Sequence, residues 1–276
     1  MDYSFIRDNF DINNISESIL SIQVSLDGFS FVISQAKTRQ SPDYIYIKRI
    51  ENEETESLNE ALSSFMGFDS KEFYTIRIIV HEACFALVPD SLFDLRDMKA
   101  YLNLNHPARP NRKTISCEIV QAAAVCVFSL EESLYKNLKS KFPGADFCHS
   151  SLPFCSMAIH KDYDGCFIQV YENSMELAIT INKKLVLYNI FELQGENDIV
   201  YYVLNAFKSQ NLDILVHPLY IAGVLAKNSE AADTLAKYVK NIRFYSTDYV
   251  VIPDNGEFQY PSHYFLNHRE ILNCEL

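Results

Sequence analysis

Apolar and polar positions alternate over much of two segments of the chain, each broken by a short polar turn. Residues 20–34 read LSIQVSLDGFSFVIS and residues 166–180 read CFIQVYENSMELAIT. Period-two alternation around a tight turn is the pattern of a β-hairpin with one face buried. The two segments also agree residue by residue. Ile22-Gln23-Val24 matches Ile168-Gln169-Val170, Ile33-Ser34 matches Ile179-Thr180, and Asp27-Gly28 stands opposite Asn173-Ser174. The elements that follow agree as well. After the first hairpin a strand is expected over 44–50, a helix over 55–66 with Leu58 and Leu62 on one face, and a buried strand over 74–80. After the second, the pattern predicts a strand over 185–191, a helix over 196–209 and a short strand over 212–216. The same five elements in the same order predict an internal duplication.

Between the repeats the pattern adds strands at 115–121 and 123–128, a helix over 130–141 and a strand over 146–150. The second repeat continues with helices near 219–226 and 229–241 and a strand over 242–246. The last thirty residues carry turn formers and scattered rings (Tyr249, Phe258, Tyr260, Tyr264, Phe265), which predict an irregular segment packed back on the body. A division into subdomains 1–155 and 156–276 follows, since 276 residues suffice for two medium cores.

Composition narrows the function classes. With 48% hydrophobic and 22% charged residues the chain has globular composition. Its formal charge of −12 disfavours a nucleic acid or an anionic membrane as the main partner. The seven cysteines form no C-x-x-C pair and mostly sit inside apolar runs, as buried thiols do in a reducing compartment. The opening MDYSFIRDNF lacks the basic start and apolar core of a signal peptide, and no apolar run has bilayer-spanning length. A cytoplasmic protein without membrane insertion is expected.

The duplicated hairpin–strand–helix–strand unit resembles the actin-like ATPase superfamily, which includes sugar kinases, the chaperone ATPase domain, and bacterial division and pilus proteins. S-L-D-G-F-S-F at 25–31 and F-A-L-V-P-D-S-L-F at 85–93 resemble an uncharacterised bacterial family of that fold. Pilus-assembly and type II secretion scaffold proteins with degenerate actin-like domains are more distant cousins. The fold implied is α/β: a duplicated ribonuclease H-like (actin-like ATPase) fold, with two mixed five-stranded-type sheets flanked by helices. In active members each hairpin turn cradles ATP phosphates with a D-x-G pattern, since glycine admits the phosphate to backbone N–H groups and a carboxylate anchors the magnesium shell.

That pattern is worn here. Asp27 and Gly28 are adjacent, and a D-x-G alignment one position earlier places Ser25 where the carboxylate belongs. The second turn, Tyr171-Glu172-Asn173-Ser174, has neither glycine nor aspartate. The resemblance makes Ser25, Asp27, Gly28, Phe29, Glu172, Asn173 and Ser174 the candidate remnants of the phosphate turns. It makes Ala222 and Gly223 the remnant of the adenosine-side glycine pair. The bland reading of Asp27-Gly28 is a type I′ hairpin turn. Phosphoryl transfer rests on positioning and electrostatics, so partial motifs imply little or no catalysis. A non-catalytic or weakly nucleotide-binding scaffold with protein partners is expected, with no cofactor; ATP with magnesium is the alternative. In that alternative Asp27, Glu172 and Asp164 would surround the ion in an ATPase or kinase. A nuclease would need more clustered carboxylates than Asp27 supplies.

Other constellations are weaker. His81-Glu82 begins an H-E-x-x-H zinc motif, but Phe85 occupies the second histidine position. His263 and His268 have no third ligand nearby in sequence, so surface or satisfied histidines are expected and no metal. Asp162 and Asp164 read as a solvated loop. No G-x-S-x-G supports a nucleophile. One basic loop, 106–113, contains Arg109, Arg112 and Lys113; its prolines bar a helix interior, and exposed charges are expected, solvated or facing an acidic partner or a phosphate.

Overall fold

The alternating hairpins form as the pattern requires, and their register shows the duplication in detail. The computed structural model describes residues 2–7, 10–11, 14–25, 27–37, 42–50, 55–64, 73–160, 164–245 and 262–274. The first sheet contains β1 (Asp2–Ile6), β2 (Ser18–Ser25), β3 (Gly28–Gln35), β4 (Pro42–Arg49), β5 (Thr75–Val80) and β9 (Asp146–His149), in the order β1-β4-β3-β2-β5-β9. The second contains β10 (Gly165–Val170), β11 (Ser174–Ile181), β12 (Lys184–Glu192), β13 (Leu219–Gly223) and β14 (Ile242–Phe244), in the order β12-β11-β10-β13-β14. In both, an antiparallel three-stranded run is joined on the side of its first strand by two parallel strands. The first sheet adds β1 at its edge.

The correspondence extends to irregularities. The ladder shifts register between Ile33 and Ser34 in the first sheet and between Ile179 and Thr180 in the second, the same offset that relates Ile22 to Ile168. Asp27 O accepts from Ile50 N at 2.9 Å, and Asn173 O accepts from Leu193 N at 2.9 Å. Val24 O accepts from His81 N at 2.9 Å, and Val170 O from Val224 N at 2.8 Å. Shared bulges and shared turn bonds do not follow from alternation alone, so the repeats are structurally equivalent.

By contact the chain divides into two units, Met1–Leu152 with Asn267–Leu276, and Pro153–Leu266. The expected division at 155/156 places residues 267–276 in the second half, whereas they group with the first unit. In the first unit α1 (Thr55–Ser64) lies beside α3 (Glu132–Lys141), where the Asn137 side chain donates to Asn59 Oδ1 at 3.0 Å. Leu58, Leu62, Leu134 and Leu138 are their buried stripe. Phe31 meets Phe142 with ring centroids 6.1 Å apart. Inserted between β5 and β9 is a small antiparallel sheet, β6 (Phe85–Pro89), β8 (Ala124–Glu131) and β7 (Arg112–Ile119), carrying α2 (Met98–Asn105). In the second unit one sheet face (Ile168, Val170, Leu177) packs on Ile199, Val203 and Phe207 of α5 (Glu196–Ser209) and Leu235 of α6 (Glu230–Tyr238). The other face, with Phe167 stacked on Tyr220 at 4.6 Å, receives Phe154 and Met157 of α4 (Ser151–His160). Coverage on both faces is why every residue of β10 is buried.

Several expectations are corrected. Residues 212–216 form a turn and not a strand: Asp213 closes it through His217 N to its carbonyl (2.8 Å) and Leu215 N to its carboxylate (2.8 Å), leaving Leu215 and Val216 exposed. The parallel strand comes after Pro218, at Leu219–Gly223, where a helix over 219–226 is expected from sequence. The C-terminal segment is helical instead of irregular: a 3-10 turn (Ser262–Phe265), α7 (Leu266–Glu270) and a second 3-10 turn (Ile271–Asn273), with Phe265, Leu266, Ile271 and Leu272 buried. Tyr249, Phe258, Tyr260 and Asp162 lie outside the described residues. All seven cysteines are buried free thiols. Among the described residues no helix is long and apolar enough to cross a membrane.

Candidate functional site

In a sheet with parallel strands, ligands bind beyond the carboxyl ends of those strands, so each unit has one edge to inspect. In the first unit that edge holds the β2–β3 turn and the residues after β5 and β9. The turn is closed by the pair Ser25 and Gly28, so Gly28 opens β3 and the expected Asp27-Gly28 turn centre shifts back by one residue. The Ser25 hydroxyl donates to the Asp27 carboxylate and lies 3.3 Å from Gly28 O. The carboxylate that would anchor a magnesium shell is thus folded onto its own hairpin. Gly28 has φ +146°, and a Cβ there would stand 2.0 Å from Lys48 O. The sheet itself demands this glycine. Phe29 is a buried strand residue, edge-on to Phe31 at 5.2 Å.

Beside the turn stand residues that the sequence reading did not join to it. His81, following β5, places Nδ1 3.2 Å from Ser150 Oγ, following β9. His149 Nε2 lies 2.8 Å from Glu82 O; a carbonyl only accepts, so Nε2 carries the hydrogen. Its Nδ1 then accepts from Ser151 N at 3.1 Å. The only sequence signal was position: each histidine stands at or just past the end of a buried parallel strand.

In the second unit the turn Tyr171-Glu172-Asn173 borders an open pocket of about 350 Å³, together with the start of α5 and the segment 224–229. The structure therefore brings Glu172 and Asn173 close to the residues after Gly223. Ser174 O accepts from Tyr171 N at 2.8 Å, closing the turn. Gly223, at φ +90°, pairs with Val170, and a Cβ would lie 1.9 Å from Val170 O. Ala222 is buried among the residues facing α4. Three backbone donors at the pocket are taken by the protein's own oxygens: Ala231 N donates to Glu196 Oε2 (2.7 Å), Ala232 N to Ser229 Oγ (3.2 Å) and Gln194 N to Asp198 Oδ2 (2.7 Å). Helix N-termini are where phosphate would bind; at α6 the Glu196 carboxylate and the Ser229 hydroxyl already occupy two of the first N–H groups. Behind the turn, Glu176 is fully buried and accepts from Tyr188 OH at 3.1 Å and Tyr171 OH at 3.3 Å, opposite Gln169 in the ladder. Asp164 is remote from this pocket's lining and accepts from Lys183 N at 3.5 Å.

The basic loop is partly corrected. Arg109 is exposed as expected, but Arg112 has only 9% of its side chain exposed. Its guanidinium pairs with Glu82, donates Nε–H to Ser129 Oγ at 2.9 Å, and lies 3.7 Å from Glu131. Lys113 points over the Tyr135 ring, 5.6 Å from its centroid. Arg109 and Arg112 line a second pocket, of about 260 Å³, with Lys99 of α2. His263 and His268 are both buried: His263 Nε2 lies 3.2 Å from Leu225 O, and His268 bridges Ser21 and Ser30. Among the described residues no three His, Cys, Asp or Glu side chains gather as a metal ion would need.

The model of a family described as "Protein of unknown function (DUF3822)" matches residues 7–242. The chain belongs to the DUF3822 family. No curated protein matches this DUF3822 sequence. Among solved structures it is similar to a Bacteroides thetaiotaomicron protein with actin-like ATPase fold and unknown function, at TM-score 0.80 and 20% identity, covering 96% of this chain and 99% of that one. It is similar to the PilM–PilN type IV pilus biogenesis complex, at TM-score 0.55 and 12% identity over 92% of this chain and 98% of that one. It also resembles the cytoplasmic domain of EpsL, an inner membrane component of the Vibrio cholerae type II secretion system, at TM-score 0.51 and 9% identity over 94% of this chain and 96% of that one. The DUF3822 chain has the actin-like ATPase fold.

Proposed function

We propose that this protein is a cytoplasmic interaction scaffold on an actin-like fold, non-catalytic or only weakly nucleotide-binding, with protein partners. The observation that carries this reading is that the pocket of the second unit is filled with the protein's own acceptors: Glu196 and Ser229 take two N–H groups at the start of α6, and Asp198 takes Gln194 N just before α5, beside the acidic turn residue Glu172. A phosphate entering there would face carboxylates where the fold's chemistry calls for free N–H groups. The turn in the first unit supports the same reading, because Asp27 is held by Ser25. PilM is seen in a complex with PilN, and EpsL is a component of a secretion system; a shared fold with such assembly proteins makes a partner-binding role the natural extension. Calorimetric titration with ATP and magnesium tests it. No binding heat at millimolar nucleotide is expected. Micromolar binding abolished by Asp27→Ala would overturn the reading in favour of an ATP-dependent enzyme or switch.

A further inference from the structure

The chain carries a formal charge of −12, yet cations converge on the 260 Å³ pocket between α2, the loop 106–111 and the start of β7. Lys99, Asn103, Arg109, Asn111, Arg112 and Thr114 line it. Arg112 is neutralised by Glu82, so it contributes a fixed wall and no surplus charge. Lys99 and Arg109 are different: among the described residues neither has an ion-pair or hydrogen-bond partner. Asn103, Asn111 and Thr114 likewise offer uncommitted side-chain donors. Asn111, at φ +57°, turns the loop into β7, and His106 Nε2 donates to Phe85 O at 3.0 Å, tying the loop's first residue to β6. The cation-bearing loop is therefore anchored at both ends.

We propose that this pocket binds a phosphate group, either as the free ion or as the monoester of a small organic molecule. Two unpaired cations and three neutral donors around one bowl suit an oxyanion with several acceptor oxygens, and Arg with Lys are the side chains that hold phosphate best. The volume exceeds one ion, since a water molecule's share is about 30 Å³. It lies near the lower end of the roughly 300–1,000 Å³ of pockets for drug-sized ligands, which suits a small phosphate compound. Leu102 and Pro107 add apolar surface for a short carbon body. The site lies at the inserted sheet, shares no lining residue with either hairpin turn, and stands independently of the scaffold reading.

Calorimetry with glycerol 3-phosphate and, separately, inorganic phosphate tests the site, with chloride at equal ionic strength as the control. Binding is expected with the wild-type chain, weakened about tenfold or more in the K99A/R109A double variant. Both side chains are exposed, so the fold should be retained, as circular dichroism would verify. Tighter binding of glycerol 3-phosphate assigns the monoester; equal affinities assign the free ion. Absence of binding by both probes, or equal binding by the double variant, overturns the proposal. The two readings fail separately: nucleotide binding lost with Asp27→Ala but kept in K99A/R109A refutes the scaffold alone.

Discussion

His268 offers the sharpest physical test of how the C-terminal segment is held. Its ring is 1% exposed, with Nδ1 2.7 Å from Ser21 Oγ and Nε2 2.7 Å from Ser30 Oγ, on neighbouring strands β2 and β3. A neutral imidazole can donate to one hydroxyl and accept from the other, whereas an imidazolium can only donate. Burial drives the ring's pKa down from 6.5 to about 3. Because the folded-state value is depressed, the unfolded chain takes up the proton first as pH falls. The stability tied to the neutral ring is complete above pH 6.5 and is lost between there and about pH 3. The slope is about 1.4 kcal/mol per pH unit, which amounts to about 2 kcal/mol near pH 5. The assay is urea unfolding followed by circular dichroism near pH 8 and near pH 5, for the wild-type chain and His268→Gln. The variant starts less stable, since two buried hydroxyls lose a fitted partner, but it should lose about 2 kcal/mol less on acidification. His263, also buried and lowered in pKa by burial, is present in both proteins and cancels. Equal losses in the two proteins would refute a buried neutral His268.

Three further outcomes probe a glycine, the first turn and the buried ion pair. Gly223→Ala should cost on the order of 2–4 kcal/mol in urea unfolding, from positive φ and the clash with Val170 O, while Asp27→Ala should cost about 1 kcal/mol or less. Arg112→Ala leaves Glu82 without its partner in a mostly buried position and should cost about 3 kcal/mol by the same measurement; a loss near zero would mean the pair is solvated.

What was legible in the sequence is what repeats locally. Ile22-Gln23-Val24 against Ile168-Gln169-Val170 shows both hairpins and the duplication, because a ladder's two-residue period is written into adjacent residues even where, as in β10, both faces are covered. Leu219–Gly223 was misread because a parallel strand buried on both faces shows no alternation, and an apolar run of that length fits a helix equally well. Helix α4 was hidden by Pro153, which reads as a breaker yet lies in the first turn, where its missing N–H costs nothing. Long-range pairing was least visible. Ser21 and Ser30 meet His268 across 247 and 238 residues, and Arg112 finds Glu82 across 30. Nothing local marks such partners. Both hairpins are legible, though the first turn is centred one residue earlier than expected, and the acceptors at the start of α6 depend on a helix end that no short motif identifies.

The equivalent positions of the two units show why a surviving glycine is poor evidence for a surviving ligand. Gly28 and Gly223 are retained at sites where a Cβ would strike backbone oxygen at 2.0 and 1.9 Å, so packing alone accounts for both. At positions free of that constraint the units have diverged. Asp27 corresponds to Asn173 and Ser30 to Glu176, while the ladders around them keep the same register and the same bulge. Strand register is set by burying Ile22, Phe31, Ile168 and Leu177, and it tolerates any turn that can close. Phosphate binding has no such latitude, since it needs open backbone donors at one point in each unit. The skeleton therefore persists under packing constraints that do not bear on nucleotide binding. Packing leaves free the residues on which both proposed roles turn: Glu196, Asp198 and Ser229 around the second turn, and the unpaired Lys99 and Arg109 in the inserted sheet.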